Sequence, residues 1–334
     1  MNQLKTILVG VDFSECSRSA LEQAVRLARW NDASLRIIHV LDPATLDVGG
    51  ADLPPEVDTV RRLHREQTIA WLAEWAEAAG APPGHSREVM NGVPLDVLLQ
   101  ESRSLGANLL VLGVTGESLL AHGTGTVATK CLRKAGTKVL LVHRHQAIPF
   151  RRVLACVDFS DLSRAAVVQA VRVAEQDHAE VHVLHIFRAE WQRWSVRGQL
   201  PALADFERNY QAALETSLRN FAGDVPRPGA IYAIRQAKTH AAGIAEYARE
   251  VGADLIVLGT KGRTNLGYVM LGSTVERLLK EIPCSVLVVR TPAIPAAWSP
   301  GTSSPSAGTS GSVISTYDHR SDATRRIGRP LFRG

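Results

Sequence analysis

The sequence predicts an α/β protein made of two tandem, doubly wound domains, each with a five-stranded parallel sheet. Three observations lead there. The chain repeats itself at a constant offset of 146 residues. Within each copy, apolar runs of strand length alternate with segments of helical spacing. Aspartate or glycine stands at the carboxyl ends of several of those runs, where open α/β sheets bind ligands.

The repeat is direct. Lys5–Trp30 set over Arg151–Gln176 gives 13 identities in 26 positions, Val-Asp-Phe-Ser and Ser-Arg among them. Further along, His39-Val40 lies over His185-Ile186, and Asn108-Leu-Leu-Val-Leu-Gly113 over Asp254-Leu-Ile-Val-Leu-Gly259. The expected domains are residues 1–146 and 147–291, followed by a tail over 292–334. The tail is rich in Ser, Gly and Pro from Ser299 to Ser312, too poor in apolar groups to offset the entropy of ordering, and basic beyond that.

Taken in order, Ile7–Val11 is the first strand and ends at Asp12. Ser14 stands where a helix begins, with Glu15 next, as an N-cap followed by a charge that suits the helix dipole. Ser160 and Asp161 repeat the pair. Leu21, Val25 and Ala28 form the buried face of the first helix, and Leu35–Val40 is the second strand. Leu63, Trp71 and Trp75 contribute a face of the second helix; the Trp71/Trp75 pair reads as packing rather than as a base-stacking platform. Leu109–Leu112 and Val139–Val142 are later strands. Such runs, apolar on both faces, belong to a parallel sheet covered by helices on both sides, which makes each domain Rossmann-like. The final strands, in Lys138–His143 and Ser285–Arg290, are apolar edges that need cover.

Composition narrows the function classes. Of 334 residues, 45% are hydrophobic and 21% charged, which is globular, and no apolar run approaches the ~20 residues of a membrane span. The first residues, MNQLKTILVGVD, read as a strand and not as a secretory leader. Cys16, Cys131, Cys156 and Cys284 are widely spaced, the last three in apolar settings, so buried thiols and a cytoplasmic protein are expected. Of the net charge of +5, the segment from Thr291 onward supplies +3 (five Arg, two Asp), so the body carries only +2 and no nucleic-acid face is indicated. His143, His145, His182 and His185 lack further ligands at convergent spacing, and no metal site is read from them. No nucleophile, base and orienting group assemble by spacing, so no catalytic residue is assigned.

The informative stretch is residues 259–274, GTKGRTNLGYVMLGST. Gly259 ends a strand, Gly262 follows, and Gly272-Ser273 opens a helix. A strand-end glycine permits close backbone approach, and a Gly-Ser helix start offers free N–H groups at a positive dipole end; together they suit an anion. The P-loop pattern and the first-strand dinucleotide fingerprint are both absent.

G-x-x-G, nine residues, then G-[ST] resembles the nucleotide signature of the ATP-binding branch of the universal stress protein family. Val157-Asp-Phe-Ser160, Leu184-His-Ile186 and Pro283-Cys-Ser-Val-Leu-Val-Val-Arg290 resemble that family's first, second and last strands. The resemblance implies an adenine-nucleotide α-hydrolase-like fold holding ATP. Asp158 and the backbone at Val157 and Ile186 would face the base. Leu258, Gly259, Gly262, Gly272, Ser273 and Thr274 would hold ribose and phosphates, with Arg263 in the arch between and Mg²⁺ beside the phosphates. It also implies that the two final strands pair across a pseudo-twofold within this chain, with a homodimer still open.

The first copy keeps Asp12 and Val40 but departs at the glycines: Gly113 and Gly116, then eight residues, then Gly125-Thr126, one short. Glu117 stands where the second copy has Arg263. In the other direction, Lys238-Thr239-His240 replaces Gly92-Val93-Pro94 before the third helix. The expected ATP site is therefore the second one, the first being weakened or specialised. The functional expectation is an ATP-binding stress-response sensor or regulator whose occupancy changes engagement of a protein partner. A slow Mg²⁺-dependent ATPase or phosphoryl-transfer protein, and a scaffold holding no nucleotide or another small ligand, stand as alternatives.

Overall fold

The computed structural model describes residues 4–42, 56–115, 125–144, 149–189, 201–223, 225, 229–260 and 271–290. Gly116, Glu117, His145, Gly262, Arg263 and the tail over 292–334 lie outside them.

The first half runs β1 (Thr6–Gly10), α1 (Glu15–Asn31), β2 (Ser34–Leu41), α2 (Glu56–Ala78), β3 (Ser86–Asn91), α3 (Pro94–Ser104), β4 (Leu109–Gly113), α4 (Thr126–Lys134) and β5 (Lys138–Val142). The second half repeats this as β6 (Arg152–Val157), α5 (Asp161–Asp177), β7 (Glu180–Phe187), α6 (Pro201–Ala222), β8 (Ile231–Gln236), α7 (His240–Val251), β9 (Leu255–Gly259), α8 (Ser273–Leu278) and β10 (Ser285–Val289). All ten strands form one sheet in the order β3-β2-β1-β4-β5-β10-β9-β6-β7-β8. Each half is parallel throughout, and its strand order reverses between β1 and β4, or between β6 and β9.

The halves join through β5 and β10, the one antiparallel pairing among the described strands. Val286 faces Leu141, Leu287 faces Leu140 and Val288 faces Val139. These side chains are all buried, Leu287 and Leu140 being 4% and 3% exposed, so each apolar edge is covered by the other. This is the intrachain pairing expected of the final strands.

Helices cover both faces. One core gathers the inward side chains of α1, α2, α5 and α6, the other those of α3, α4, α7 and α8. Leu21, Val25 and Ala28 are buried as expected, whereas Leu63 of α2 is exposed and plays no part in that face. Local chemistry explains the repeat of the helix ends. Ser14 and Ser160 cap α1 and α5 by accepting from the N–H of Ser17 and Ser163. Both helices stop at a left-handed residue, Asp32 and His178, whose N–H returns to Ala28 and Ala174. Asn108 Oδ1 accepts from the N–H of Lys5 and Thr6, and Asp254 Oδ2 from those of Arg151 and Arg152, which fixes the start of β1 and of β6.

Side chains on α1 and α5 reinforce the junction. Arg26 of α1 pairs with the fully buried carboxylate of Asp177 at the end of α5, whose other oxygen accepts from Phe150 N–H at 2.9 Å. Lys138 Nζ donates to Gln169 Oε1 at 2.9 Å. A cavity of about 20 Å³ lies here, lined by Leu140, Phe150, Gln169 and Leu287 among others, which is room for about one water. It is not a ligand site.

The junction makes a stability prediction. Leu287→Ala removes buried methyl groups from the central pair and should cost about 2–5 kcal/mol. Because both halves share the sheet, denaturant unfolding followed by fluorescence and by circular dichroism should keep one transition, shifted as a whole. Two transitions of which only one shifts would contradict a shared core.

Candidate functional site

The carboxyl edge of each half is organised around one turn. Asp12 and Asp158 follow β1 and β6, and each Oδ1 accepts from both the N–H and the hydroxyl of the serine two residues on. The distances are 3.1 and 2.6 Å to Ser14, and 3.0 and 2.6 Å to Ser160. The serine in turn caps the helix, so carboxylate and helix start form one unit. Between them, Phe13 and Phe159 sit at φ 62° and 65°, a left-handed conformation that costs a bulky residue energy. Aromatic packing holds them there. Phe13 packs at a tilt on His39, ring centres 4.7 Å apart, and meets Trp75 and Trp71 edge-on; Phe159 packs at a tilt on His185 at 4.6 Å and meets Phe221 edge-on. Each histidine Nδ1 lies 2.8 Å from a carbonyl, that of Val11 or of Val157, so Nδ1 carries the hydrogen and donates. The predicted base-facing backbone at Val157 is thus tied to the end of β7, beside Ile186. Val40 holds the equivalent place on β2.

The glycines divide into two physical classes. At Gly113 and Gly259 a Cβ would strike the first turn of the adjacent helix: Cys16 Cβ at 2.8 Å and its carbonyl carbon at 2.9 Å, or Leu162 Cβ at 2.8 Å. Sequence reasoning gave Gly259 to ligand approach; close helix–strand packing is a sufficient reason for it. Gly125 and Gly272 are different. They are the N-caps of α4 and α8 at φ −55° and −62°, a conformation open to any residue, and no side chain caps either helix. Sequence-capped α1, α5 and α7 contrast with this pair. Gly125 N–H donates to Val114 O at 2.7 Å and Gly272 N–H to Thr260 O at 2.8 Å, so both loops close at equivalent points despite their unequal length. Thr126, Ser273 and Thr274 occupy the first turns, with Thr126 and Ser273 exposed. Leu258 is buried and reaches the edge only through its backbone.

At the third helix the structure refines the alignment. Gly92 N–H bonds Leu41 O, and Ala237 N–H bonds Phe187 O, so Ala237 is the counterpart of Gly92. Val93 and Thr239 are the equivalent N-caps, and Lys238 is an extra residue between. Thr239 caps α7 through its hydroxyl, which Val93 cannot do for α3. His240 opens α7. Partial burial of its ring, then the Arg188 guanidinium, pull it below the ordinary imidazole range, while the Asp158 carboxylate pulls the other way. Arg188 and His240 therefore share the edge with Asp158. Sequence reading named His240 within the Lys238-Thr239-His240 replacement but not Arg188; comparing the residue just after the second strand in each copy, Asp42 against Arg188, is the signal that finds it.

Other candidates are absorbed by packing. His182 Nδ1 lies 2.9 Å from the Tyr247 hydroxyl inside the second half. Trp75 packs on Phe13 with the Arg18 guanidinium over its ring, and Trp71 lies half exposed beside it. All four cysteines are free and buried, and burial pushes the Cys131 and Cys284 thiols up to about 12. Among the described residues no three His, Cys, Asp or Glu side chains gather as a metal site, and no helix is long and apolar enough to cross a membrane.

Comparison with known proteins agrees with this architecture. The sequence model of the Universal stress protein family matches residues 3–143 and again 149–290. A universal stress protein of Mycobacterium tuberculosis is 26% identical over 298 residues, 85% of this chain and 96% of its own length. The crystal structure of a universal stress protein from Archaeoglobus fulgidus covers 86% of this chain and 97% of its own, at 22% identity and a TM-score of 0.57. A universal stress protein solved in complex with cAMP covers 43% of this chain and 99% of its own, at 26% identity and a TM-score of 0.32.

The packing reason for the strand-end glycines is testable. Gly259→Ala should lower stability by about 1–3 kcal/mol through overpacking against Leu162, and Gly113→Ala likewise against Cys16. Chemical denaturation measures this; unchanged midpoints would return both glycines to a role outside the fold.

Proposed function

The chain belongs to the universal stress protein family, and from that premise we propose that it is a nucleotide-responsive regulator whose second half holds ATP. The observation that carries this reading is the start of α8. Its first N–H groups have no side-chain cap, its N-cap Gly272 has a backbone conformation that does not require glycine, and it opens at the point where strand order reverses. Uncapped donors at a positive dipole end suit phosphate, and a glycine not needed for φ leaves room as its remaining purpose.

In this reading Asp158 and the backbone of Val157 and Ile186 face the base, and the backbone of Leu258 and Gly259 lines the ribose. Gly272, Ser273 and Thr274 take the phosphates, with Gly262 and Arg263 contributing from the intervening loop. The donor chemistry fits: hydroxyls and backbone N–H groups for phosphate oxygens, one carboxylate for an exocyclic amine. Mg²⁺, when bound, would neutralise phosphate charge; Ser273 and Thr274 hydroxyls are the protein oxygens nearest in sequence to that role. The first half, through Asp12, Val40, Gly113, Gly116, Gly125 and Thr126, offers the same frame with a shorter loop. Occupancy then alters how the protein engages a partner in the cytoplasm, a setting that four buried free thiols suit. The proposed division is a first domain over 1–146, a second over 147–291 and a tail from 292.

Gly272→Val tests the reading. Calorimetry should show ATP binding weakened by at least about tenfold, with only a modest change in melting temperature because φ at this position suits valine. Gly125→Val should leave ATP binding almost unchanged. A wild-type protein that binds no ATP at either half would overturn the nucleotide reading, and a large fall in melting temperature with intact binding would return Gly272 to the fold.

A further inference from the structure

The two halves fill one equivalent position of the sheet with different chemistry. Arg36 of β2 pairs with Leu8 of β1, and His182 of β7 with Leu154 of β6, so strand register makes Arg36 and His182 counterparts. Each meets the helix that covers it. Counted from the N-caps Val93 and Thr239, Glu101 of α3 and Tyr247 of α7 are counterparts too. In the first half the contact is ionic: Arg36 Nη2 binds the Glu88 carboxylate and lies 3.7 Å from Glu101 Oε2. In the second it is neutral: His182 Nδ1 lies 2.9 Å from the Tyr247 hydroxyl.

The neutral pair is buried, His182 being 5% and Tyr247 4% exposed. Among the described residues His182 Nε2 makes no hydrogen bond, and Glu180 Oε2 stands off at 3.7 Å. The charged groups facing the pair are Glu180 on the same strand, Arg152 on β6, Arg235 on β8 and Glu250 on α7. Both carboxylates are already engaged. Arg152 Nε donates to Glu180 at 3.1 Å, and Arg235, over the Tyr247 ring, donates to Glu250 at 3.1 Å. A proton on His182 would therefore add a buried cation between two arginines whose carboxylates are taken. Burial holds the ring below the ordinary imidazole range, with Glu180 working against this and Arg152 with it. Burial also raises the Tyr247 hydroxyl, which stays protonated.

We propose that the second half carries an acid switch that the first half lacks: protonation of His182 breaks its contact with Tyr247 and loosens α7 from the sheet. Once charged, both ring nitrogens donate, so the Tyr247 oxygen has to accept and its own hydrogen loses the ring as a partner. With α7 open, His182 reaches water and titrates near about 6.5; with α7 closed it resists the proton. Closed α7 is therefore fully favoured above that value. It loses ground as the pH falls below it, by up to about tenfold per unit. Arg36 has no such response, since its carboxylate partners ordinarily titrate near about 4. α7 runs from this pair to the carboxyl edge, where Thr239 caps it, so the loosening reaches the candidate site of the second half. The switch itself is independent of the nucleotide reading. His240, at the start of α7 and also held low by burial and then by Arg188, titrates on the same helix and has to be separated from His182.

Hydrogen exchange of the full chain, followed by mass spectrometry at about pH 7.5 and about pH 5.5 and corrected for the intrinsic exchange rate, reads the switch. Protection of α7 should fall by at least about tenfold between the two, and that of α3 by less than about twofold. His182→Gln keeps a hydrogen-bonding partner for Tyr247 but takes no charge, and should remove about a tenfold share of the fall. His182→Leu combined with Tyr247→Phe removes both polar partners together, should do the same, and serves where glutamine disturbs the packing. His240→Gln should keep a fall of about tenfold. Equal losses from α3 and α7, no loss from α7, an undiminished fall in His182→Gln, or a fall abolished by His240→Gln would each overturn the proposal.

Discussion

The antiparallel contact between β5 and β10 is the constraint on which the rest of the molecule depends. Each half alone would end in a bare apolar strand, a template for uncontrolled pairing. Joined, the two edges become the centre of one ten-stranded sheet, and Leu140, Leu141, Val286 and Leu287 become core. The pairing is self-complementary: Leu140 facing Leu287 and Leu141 facing Val286 are images of each other across a local twofold. The polar contacts around it are not. Arg26 binds Asp177, but the position related to Asp177 in the first half is Asn31, which returns to Leu27 O of its own helix. The apolar seam keeps the symmetry of the repeat, and the ion pair has specialised for a covalently linked pair of halves.

A second constraint recurs at both carboxyl edges. Asp–Phe–Ser serves three ends at once: the carboxylate orients the serine, the serine caps the helix, and a left-handed phenylalanine lets the chain turn between them. The strain at Phe159 is held by His185 and Phe221, and His185 is fixed by Val157 O. The same ring that relieves the strain therefore locks the ends of β6 and β7 together, beside the proposed ligand. Identity at these positions in both copies reflects shared architecture.

Much of this was legible in the sequence because it obeys local rules. The repeat offset gave two copies of one domain, apolar runs gave the strands, and Ser14 and Ser160 gave the caps, while the pairing of the final strands across a twofold followed from the family resemblance. Three things were not legible. The exposure of Leu63 could not be read from helical spacing, since spacing assigns a face but not its depth. The role of Gly259 depends on how near α5 passes, which is a distance and not a pattern. The extra Lys238 was hidden because N-caps align at offset 146 whereas the preceding strand aligns at 145, and hydrogen-bond register was needed to separate them.

The central claim is that one chain carries two related clefts of which the second is the nucleotide site. Photolabelling the full chain with an azido analogue of ATP, followed by peptide mapping, addresses it directly. The account predicts label confined to peptides within residues 149–290, at the ends of β6, β7 and β9, and abolished by excess ATP. Equal labelling of peptides from residues 4–143, or label that ATP does not displace, would contradict it.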